Sequence, residues 1–285
     1  MKILFVSSGG KERGSFTVRG RQLAAAMGAE SSWNPTWRQI DSADLVVVVK
    51  SVSDLVLDML RERRKPWVWD ILDAYKQPEQ SQMPESEARA WLSARIETLK
   101  PRAVVCTTSK MQEDIWLGNP TIETEIFPHH GWARPLNPIR EKASIVGYEG
   151  RLTYLEGWLP AINSACINAG LGFALSPPEP RVVDILVAVR GGQWDGYPSR
   201  AWKSNVKLAN AQITGTPIIC QRTAAYEEFS NGGVQWVEKP EDFTAALEAL
   251  MPYAVRKRAS EMLLKDAIRV EDVARTYRKW LENLV

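Results

Sequence analysis

Short apolar runs alternate with amphipathic stretches along the whole chain, and this alternation is typical of parallel sheets with crossover helices. The predicted strands cover residues 2–7, 45–50, 67–71, 103–107, 123–127, 144–148, 172–175, 183–189, 217–220 and 234–237. The predicted helices cover residues 16–27, 53–63, 85–99, 110–117, 154–169, 202–214, 224–229, 243–250, 255–266 and 270–284. The hydrophobic pattern therefore predicts a fold of the α/β class.

One segment, residues 128–138, breaks both periodicities. It contains Pro128, Gly131, Pro135 and Pro138, as expected of a linker. On either side of it the pattern restarts with an apolar strand that leads into a glycine-containing loop. The chain has 285 residues, enough for two domains. We predict an N-terminal domain over residues 1–134, a C-terminal domain over residues 135–269 and a final helix over residues 270–285.

Composition adds little beyond a globular character. The chain has 36 basic and 34 acidic residues, a balance that neither indicates nor excludes nucleic acid. Its longest apolar run, residues 45–49, is far shorter than the ~20 residues that span a bilayer. The N-terminus lacks the length of a signal peptide, so we expect a cytoplasmic protein without a membrane span. Cys106, Cys166 and Cys220 are too far apart for metal-ligand spacing, and we expect reduced thiols.

The most informative stretch is residues 203–219. Lys203, Ser204 and Lys207 stand at the start of a predicted helix, which a Gly-Thr-Pro turn separates from a short apolar strand. A helix N-terminus offers unpaired N–H groups and roughly half a positive charge, so it is a natural site for a phosphate. Basic residues at this position strengthen that prediction.

The N-terminal half offers a glycine-rich loop and a pair of carboxylates. Gly9 and Gly10 follow the first predicted strand, and Ser15 stands before the next helix. Asp70 and Asp73 end a predicted strand, at the edge where open α/β sheets bind ligands. A carboxylate there could deprotonate an acceptor hydroxyl as a general base. Either aspartate could instead cap the following turn.

Gly150-Arg151 and residues 204–217 resemble the donor-binding domain of GT-B glycosyltransferases. In that family a Gly-Arg turn opens the domain, and a Lys-Leu-x-Asn/Glu-Ala helix precedes Gly-x-Pro. The proline-rich segment is similar to the family's linker. The resemblance implies two Rossmann-like domains that face each other across a cleft, with the C-terminal helix crossing back to the N-terminal domain. It also implies that a sugar moves from a nucleoside diphosphate sugar to an acceptor hydroxyl, without a metal ion or bound cofactor.

The resemblance also implies roles for particular residues. The implied donor-binding residues are Gly9, Gly10, Gly150, Arg151, Arg190, Ser204, Lys207, Asn210 and Glu228. The implied acceptor-binding residues are Ser15, Arg19 and His130, and Asp70 or Asp73 would take the acceptor proton. The chain departs from the family at Glu156, where many relatives carry a lysine. It also lacks the Glu-x7-Glu pair of many retaining members, because Asn210 takes the second position, so the stereochemistry stays open.

Several functions remain compatible with the sequence. The acceptor is expected to be a saccharide or glycan, and the alternative is a hydroxymethylated base in DNA. For DNA, residues 61–65 and the arginines Arg13, Arg19 and Arg21 could contact phosphates. A nucleotide-sugar epimerase and a non-catalytic sugar-nucleotide-binding protein would share the same fold. The oligomeric state cannot be derived from the pattern.

Overall fold

The structure is a computed structural model, and it describes residues 1–9, 14–73, 75–177 and 179–285. The first half comprises β1 (Ile3–Ser7), α1 (Gly14–Phe16), a π-helical turn (Thr17–Gln22), α2 (Leu23–Met27), β2 (Glu30–Trp33), α3 (Trp37–Ser42), β3 (Leu45–Val49), α4 (Asp54–Glu62), β4 (Trp67–Asp70), α5 (Glu85–Leu99), β5 (Ala103–Cys106), α6 (Ser109–Gly118) and β6 (Glu123–Ile126). Within the described residues these strands form a parallel sheet in the order β2-β1-β3-β4-β5-β6.

The second half forms another parallel sheet. Its elements are β7 (Ile145–Tyr148), a 3-10 turn (Leu152–Leu155), α7 (Leu159–Asn168), β8 (Gly172–Leu175), a 3-10 turn (Pro180–Val182), β9 (Ile185–Ala188), a 3-10 turn (Gly192–Trp194), α8 (Tyr197–Ala201), α9 (Val206–Thr214), β10 (Ile218–Gln221), α10 (Ala224–Glu228), β11 (Val234–Val237), a 3-10 turn (Pro240–Asp242), α11 (Phe243–Ala249), α12 (Tyr253–Lys265) and α13 (Val270–Asn283). The strand order over the described residues is β11-β10-β9-β7-β8. The two sheets confirm the predicted α/β class with two Rossmann-like domains.

The two sheets lie on either side of residues 128–138, the predicted linker. Helix α13 crosses back, as predicted: Val273, Tyr277 and Leu281 are buried in the apolar core beside β1 and α2 of the first sheet. The residue numbers proposed for the domain boundaries stay a prediction.

Two elements of the first half were not predicted, β2 and α3. Strand β2 is an edge strand with the sequence Glu-Ser-Ser-Trp, which has no apolar run to mark it. Helix α3 covers only six residues, and its beginning is set by Thr36, whose side chain accepts a hydrogen bond from the backbone N–H of Gln39. Both elements depend on local and edge contacts that hydrophobic periodicity does not report.

The predicted helix 202–214 is wrong at its beginning, because Trp202 lies between two separate helices, α8 and α9. Its side chain is fully buried in the apolar core of the first sheet, although its neighbours belong to the second half of the chain. The hydroxyls of Thr107 and Thr108 donate to the carbonyls of Trp202 and Ala201. We call α8 together with Trp202 the interdomain wedge, since it joins the second half to the first.

Two further expectations concern thiols and membranes. Cys106, Cys166 and Cys220 are buried and free. Over the described ranges, no helix combines the length and the apolar character needed to cross a bilayer.

Candidate functional site

A cavity of about 850 Å³ opens between the two sheets. Lys50 follows β3 and Asp73 follows β4, so the first sheet contributes the residues beyond its strands' carboxyl ends. Arg190 follows β9 and Gln221 ends β10, so the second sheet contributes in the same way. Ligands of open parallel sheets bind beyond these ends, and the cavity is therefore the candidate functional site.

The N-terminus of α9 faces this cavity through Ser204, Val206 and Lys207. The residue before the helix, Asn205, is a type that usually caps a helix with its side chain. Here its Oδ1 instead accepts from the backbone N–H of His129 (2.8 Å), and its Nδ2 donates to the His129 carbonyl (3.3 Å). Asn205 thus fixes the linker to the helix and leaves the first N–H groups uncapped by its side chain. The helix end can accept an anion.

Basic side chains dominate the described lining of the cavity. Five are Lys or Arg, namely Lys50, Arg151, Arg190, Lys203 and Lys207. Two are carboxylates, Asp73 and Asp195. The two oxygens of Asp195 already accept hydrogen bonds from Nε and Nη2 of Arg200, at 2.8 and 2.7 Å. The remaining positive charge suits a ligand with more than one negative charge, such as a diphosphate.

The second carboxylate, Asp73, contacts two of these cations. Its Oδ2 lies 3.1 Å from Nζ of Lys203 and 3.3 Å from Nζ of Lys50. Burial alone would raise the pKa of Asp73, but the charges of Lys203, Lys50 and Arg190 outweigh it and hold the pKa well below its usual value. Burial lowers the pKa of Lys203 to about 8 although Asp73 opposes the shift. The carboxylate is therefore firmly ionised, whereas the lysine loses its proton unusually easily.

Lys207 lies in a different environment. Its Nζ is 3.7 Å from the centre of the Tyr148 ring, a cation–π contact. Among the described residues, no carboxylate lies within salt-bridge distance of this ammonium. Burial, followed by the charges of Arg190 and Lys203, lowers the pKa of Lys207 well below its usual value. An anion in the cavity would relieve this repulsion, so Lys207 is suited to bind one.

Six predicted site residues are brought together in the cavity: Ser15, Asp73, Arg151, Arg190, Ser204 and Lys207. Arg190 also packs over the Tyr154 ring at 4.4 Å, and its Nη1 donates to Oε1 of Gln77 in the first half (3.3 Å). Two of the six, Ser15 and Asp73, precede the linker in the sequence, and the other four follow it.

The structure corrects two predictions, Asp70 as a catalytic base and Arg19 as an acceptor ligand. Both side chains are fully buried. Arg19 Nε donates to Asp70 Oδ2 (2.7 Å), and its other nitrogens donate to the carbonyls of Phe127 and Pro128 (2.7 and 2.6 Å). The hydroxyl of Tyr277 donates to the same carboxylate oxygen (3.1 Å). Asp70 ends β4 as predicted, but its carboxylate belongs to this buried network and not to the cavity.

Five further predicted residues are also not among the described residues that line the cavity. His130 is buried, and its Nε2 lies 3.1 Å from Gln22 Oε1. Asn210 accepts from the backbone N–H of Trp132 and donates to Glu149. Glu228 accepts from the backbone N–H and hydroxyl of Ser109 at the beginning of α6. Gly9 donates its N–H to Asn34, and Gly150 donates its N–H to Ser176.

These side chains and amides already have partners within the protein, and their binding roles stay predictions. Gly10 lies outside the described residues.

Sequence reasoning missed several lining residues. Lys50 and Gln221 are the first polar residues at the ends of apolar strands, and that signal could have found both. His129 lines the cavity in place of its neighbour, and burial lowers its pKa well below the usual value, so the ring is neutral at neutral pH. Nothing in the sequence distinguished His129 from His130.

Comparison with known structures identifies the architecture. The HepE protein of Anabaena, solved in complex with UDP, has 11% identity and a TM-score of 0.63, with 99% of this chain and 100% of that chain covered. A glycosyltransferase from Rickettsia africae has 10% identity and a TM-score of 0.60, covering 99% and 98%. The chain has the GT-B fold.

A third similar structure is that of an epimerase. The UDP-GlcNAc 2-epimerase of Neisseria meningitidis, bound to UDP-GlcNAc, has 10% identity and a TM-score of 0.57, covering 99% of this chain and 100% of that chain. By sequence, the chain matches no protein-family model and no curated protein. At such low identities the likeness establishes only the fold, and the activity has to be inferred from the residues of the cavity.

Two remaining predictions concern ions and nucleic acid. The described ranges contain no group of three or more His, Cys, Asp or Glu side chains that could hold a metal ion. The basic cluster at residues 61–65 covers the end of α4 and the turn before β4. Its last three residues lie beside Met1 and Asp44, which precede β1 and β3. These residues lie at the amino-terminal ends of the strands, whereas the cavity lies beyond their carboxyl-terminal ends.

Proposed function

We propose that this protein is a glycosyltransferase that moves a sugar from a nucleoside diphosphate sugar to an acceptor hydroxyl. The observation that carries the proposal is the uncapped N-terminus of α9, which opens with Ser204 and Lys207 into a cavity lined by further cations. A diphosphate satisfies both features, because it carries charge and several acceptor oxygens. The GT-B relatives solved with UDP or UDP-GlcNAc add support.

The positive charges that line the cavity suit a reaction in which a diphosphate leaves. The acceptor oxygen bonds to the anomeric carbon, the bond from that carbon to the diphosphate breaks, and its electron pair leaves with the diphosphate. Arg151, Arg190, Lys203 and Lys207 would stabilise the growing negative charge on this leaving group, the main electrostatic requirement of the step. Asp73 would take the proton of the acceptor hydroxyl. No metal ion is needed in this scheme, since the cations act in its place.

We propose a saccharide or glycan as the acceptor. Of the arginines that suggested hydroxymethylated DNA, Arg19 is buried in its ion pair with Asp70, Arg21 lies over the Phe16 ring, and Arg13 is outside the described residues. The basic cluster at residues 61–65 lies before the amino-terminal ends of the strands, away from the cavity. DNA bound along that cluster would not reach Asp73. The stereochemical outcome tests the role of Asp73: attack assisted by this base on the face opposite the diphosphate inverts the anomeric centre, which proton NMR of the product resolves.

A second candidate is a nucleotide-sugar epimerase. It is favoured by the epimerase from Neisseria meningitidis, which shares the fold over the full length of both chains. The two activities differ in their need for an acceptor. Incubation with the donor sugar alone would give a changed sugar nucleotide for an epimerase and unchanged donor for a transferase, apart from slow hydrolysis.

Binding of UDP and GDP, measured by isothermal titration calorimetry, tests the donor site directly. We expect one of them to bind, and Lys207→Met to weaken it at least about tenfold through loss of a charge-assisted contact. Lys257→Met is the matched control, because Lys257 is an exposed lysine on α12. Equal affinities for both variants, or no binding of either nucleotide to the wild type, would reject the proposed function.

A further inference from the structure

Asp73 holds two lysines that come from different halves of the chain. Lys50 follows β3 in the first sheet, and Lys203 precedes α9 in the second half. Asp73 Oδ2 lies within 3.3 Å of both ammonium groups, and all three residues line the cavity. The amide of Gln77 donates a further bond to the same oxygen (2.9 Å). Oδ2 of this carboxylate thus contacts three donors in the cavity where the proposed reaction needs a base.

The backbone is strained at Lys50 and at Leu72, the residue before Asp73. Lys50 has φ of +65° and Leu72, next to Asp73, has φ of +46°, a region that glycine adopts at less cost. The turn at Lys50 is nevertheless fixed: its N–H donates to the Asp70 carbonyl (2.8 Å) and its carbonyl accepts from the indole of Trp69 (3.0 Å). These two bonds hold Lys50 beside Asp73 in a conformation that costs a non-glycine residue free energy.

With both lysines in place, Asp73 is a poor base, since their charges stabilise its ionised form. Lys203 has an alternative partner in the cavity, because it shortly precedes α9 and a diphosphate beside the N-terminus of that helix would lie next to it. Lys50 lines the same cavity. A diphosphate carries more charge than one carboxylate and accepts more hydrogen bonds, so it competes well for the same ammonium groups. Gln77 remains to hold the carboxylate when the lysines move.

We propose that the phosphates of the donor form ion pairs with Lys203 and Lys50, which then no longer pair with Asp73. Donor binding thereby frees this carboxylate to accept the proton of the acceptor hydroxyl. The inference rests on the proposed function and adds a regulation of the same site. It gives the reaction an order, because Asp73 becomes an effective base only after the donor has bound. Without donor, the site holds its own base in an ion pair.

The competition can be measured with inorganic pyrophosphate as the probe, by calorimetry at low salt. If Asp73 competes for the lysines, Asp73→Asn binds pyrophosphate about 3- to 10-fold more tightly than the wild type. In a Lys203→Met background one competing contact is already absent, so the same substitution should gain less than about twofold. The difference between the two backgrounds is the coupling energy of a double-mutant cycle.

Asp195→Asn is the control for simple removal of negative charge, because Asp195 lines the same cavity but pairs with Arg200. Its effect should be equal in both backgrounds. Weaker binding by Asp73→Asn would overturn the inference, since the carboxylate would then position the lysines for phosphate. An equal gain in both backgrounds would overturn it as well. No binding of pyrophosphate, UDP or GDP to the wild type would reject the proposed function together with it.

Discussion

Lys203 makes the candidate site sensitive to pH near neutrality. Its pKa is lowered to about 8 by burial, and only the protonated form attracts a phosphate. A bound diphosphate favours the protonated form and raises this pKa. Affinity for the nucleoside diphosphate should therefore be full below about pH 8 and fall as the pH rises from 8 toward 10. Calorimetric titrations across this range measure the fall.

The matching variant is Lys203→Arg, since a guanidinium keeps its charge throughout this range. The fall that begins near pH 8 should disappear in the variant. An unchanged profile would show that Lys203 does not contact the phosphates.

Asp70 and Asp73 stand three residues apart, yet the structure gives them opposite expected phenotypes. Asp70→Asn leaves the fully buried Arg19 with an unpaired charge, which should lower the free energy of unfolding by about 3–5 kcal/mol. The Asp73 side chain is 19% exposed, so Asp73→Asn should cost less than Asp70→Asn, about 1–2 kcal/mol, through loss of its contacts with Lys203 and Lys50. Urea denaturation measures both. Nucleotide affinity should be unchanged in Asp70→Asn. A stable Asp70→Asn variant that lacks transferase activity would instead indicate that Asp70 takes part in the reaction.

The sequence located this pair of aspartates but could not distinguish them. The partners that bury Asp70 are 51 and 207 positions away, at Arg19 and Tyr277. No local pattern encodes contacts of such separation. The same reason explains His130, Asn210 and Glu228, whose polar atoms are used by residues distant along the chain. By contrast, Ser204 and Lys207 were predicted because a helix N-terminus is a local feature.

At the scale of elements, helix α13 is a C-terminal segment that completes the core of the first sheet. Leu281 is fully buried there, with Tyr277 packed edge-on against Phe127 (4.3 Å between ring centres). Leu281→Ala should lower the free energy of unfolding by about 2–5 kcal/mol, because it leaves a cavity. Urea denaturation provides the measurement.

Lys279→Ala is the control on the same helix, since Lys279 is exposed; it should change stability by less than about 0.5 kcal/mol. Equal effects of the two substitutions would mean that α13 does not pack on the first sheet in solution.

Buried strands were the elements best predicted from the sequence. All residues of β3 and β9 are buried, and such strands appear as continuous apolar runs. Edge strand β2 has only partly covered residues after its first, exposed one, and it was missed. The beginning of α9 was misplaced because Trp202 fits a helix pattern equally well. Its actual position is decided by the Thr107 and Thr108 hydroxyls of the other half.

At the scale of the molecule, the interdomain wedge joins the two sheets. The indole N–H of Trp202 donates to Asp114 Oδ2 (2.8 Å), and the Tyr197 hydroxyl donates to the same oxygen (2.6 Å). Tyr75 and Ser199 form a further contact between the halves, with 3.2 Å between their hydroxyl oxygens. Trp202, Asp114, Tyr75 and Ser199 are buried, so separating the halves would expose an apolar core and leave polar atoms unpaired. The halves should therefore unfold together.

Trp202→Ala tests this coupling, and hydrogen exchange with increasing urea is the measurement. In the wild type, β3 and β9 should lose protection at the same urea concentration, because each half depends on the wedge. Trp202→Ala should cost about 3–5 kcal/mol and separate the two transitions. Ile219→Ala is the control: it removes a fully buried side chain within the second half alone, so both strands should still lose protection together, at lower urea. Coincident transitions in Trp202→Ala would show that the wedge does not couple the halves.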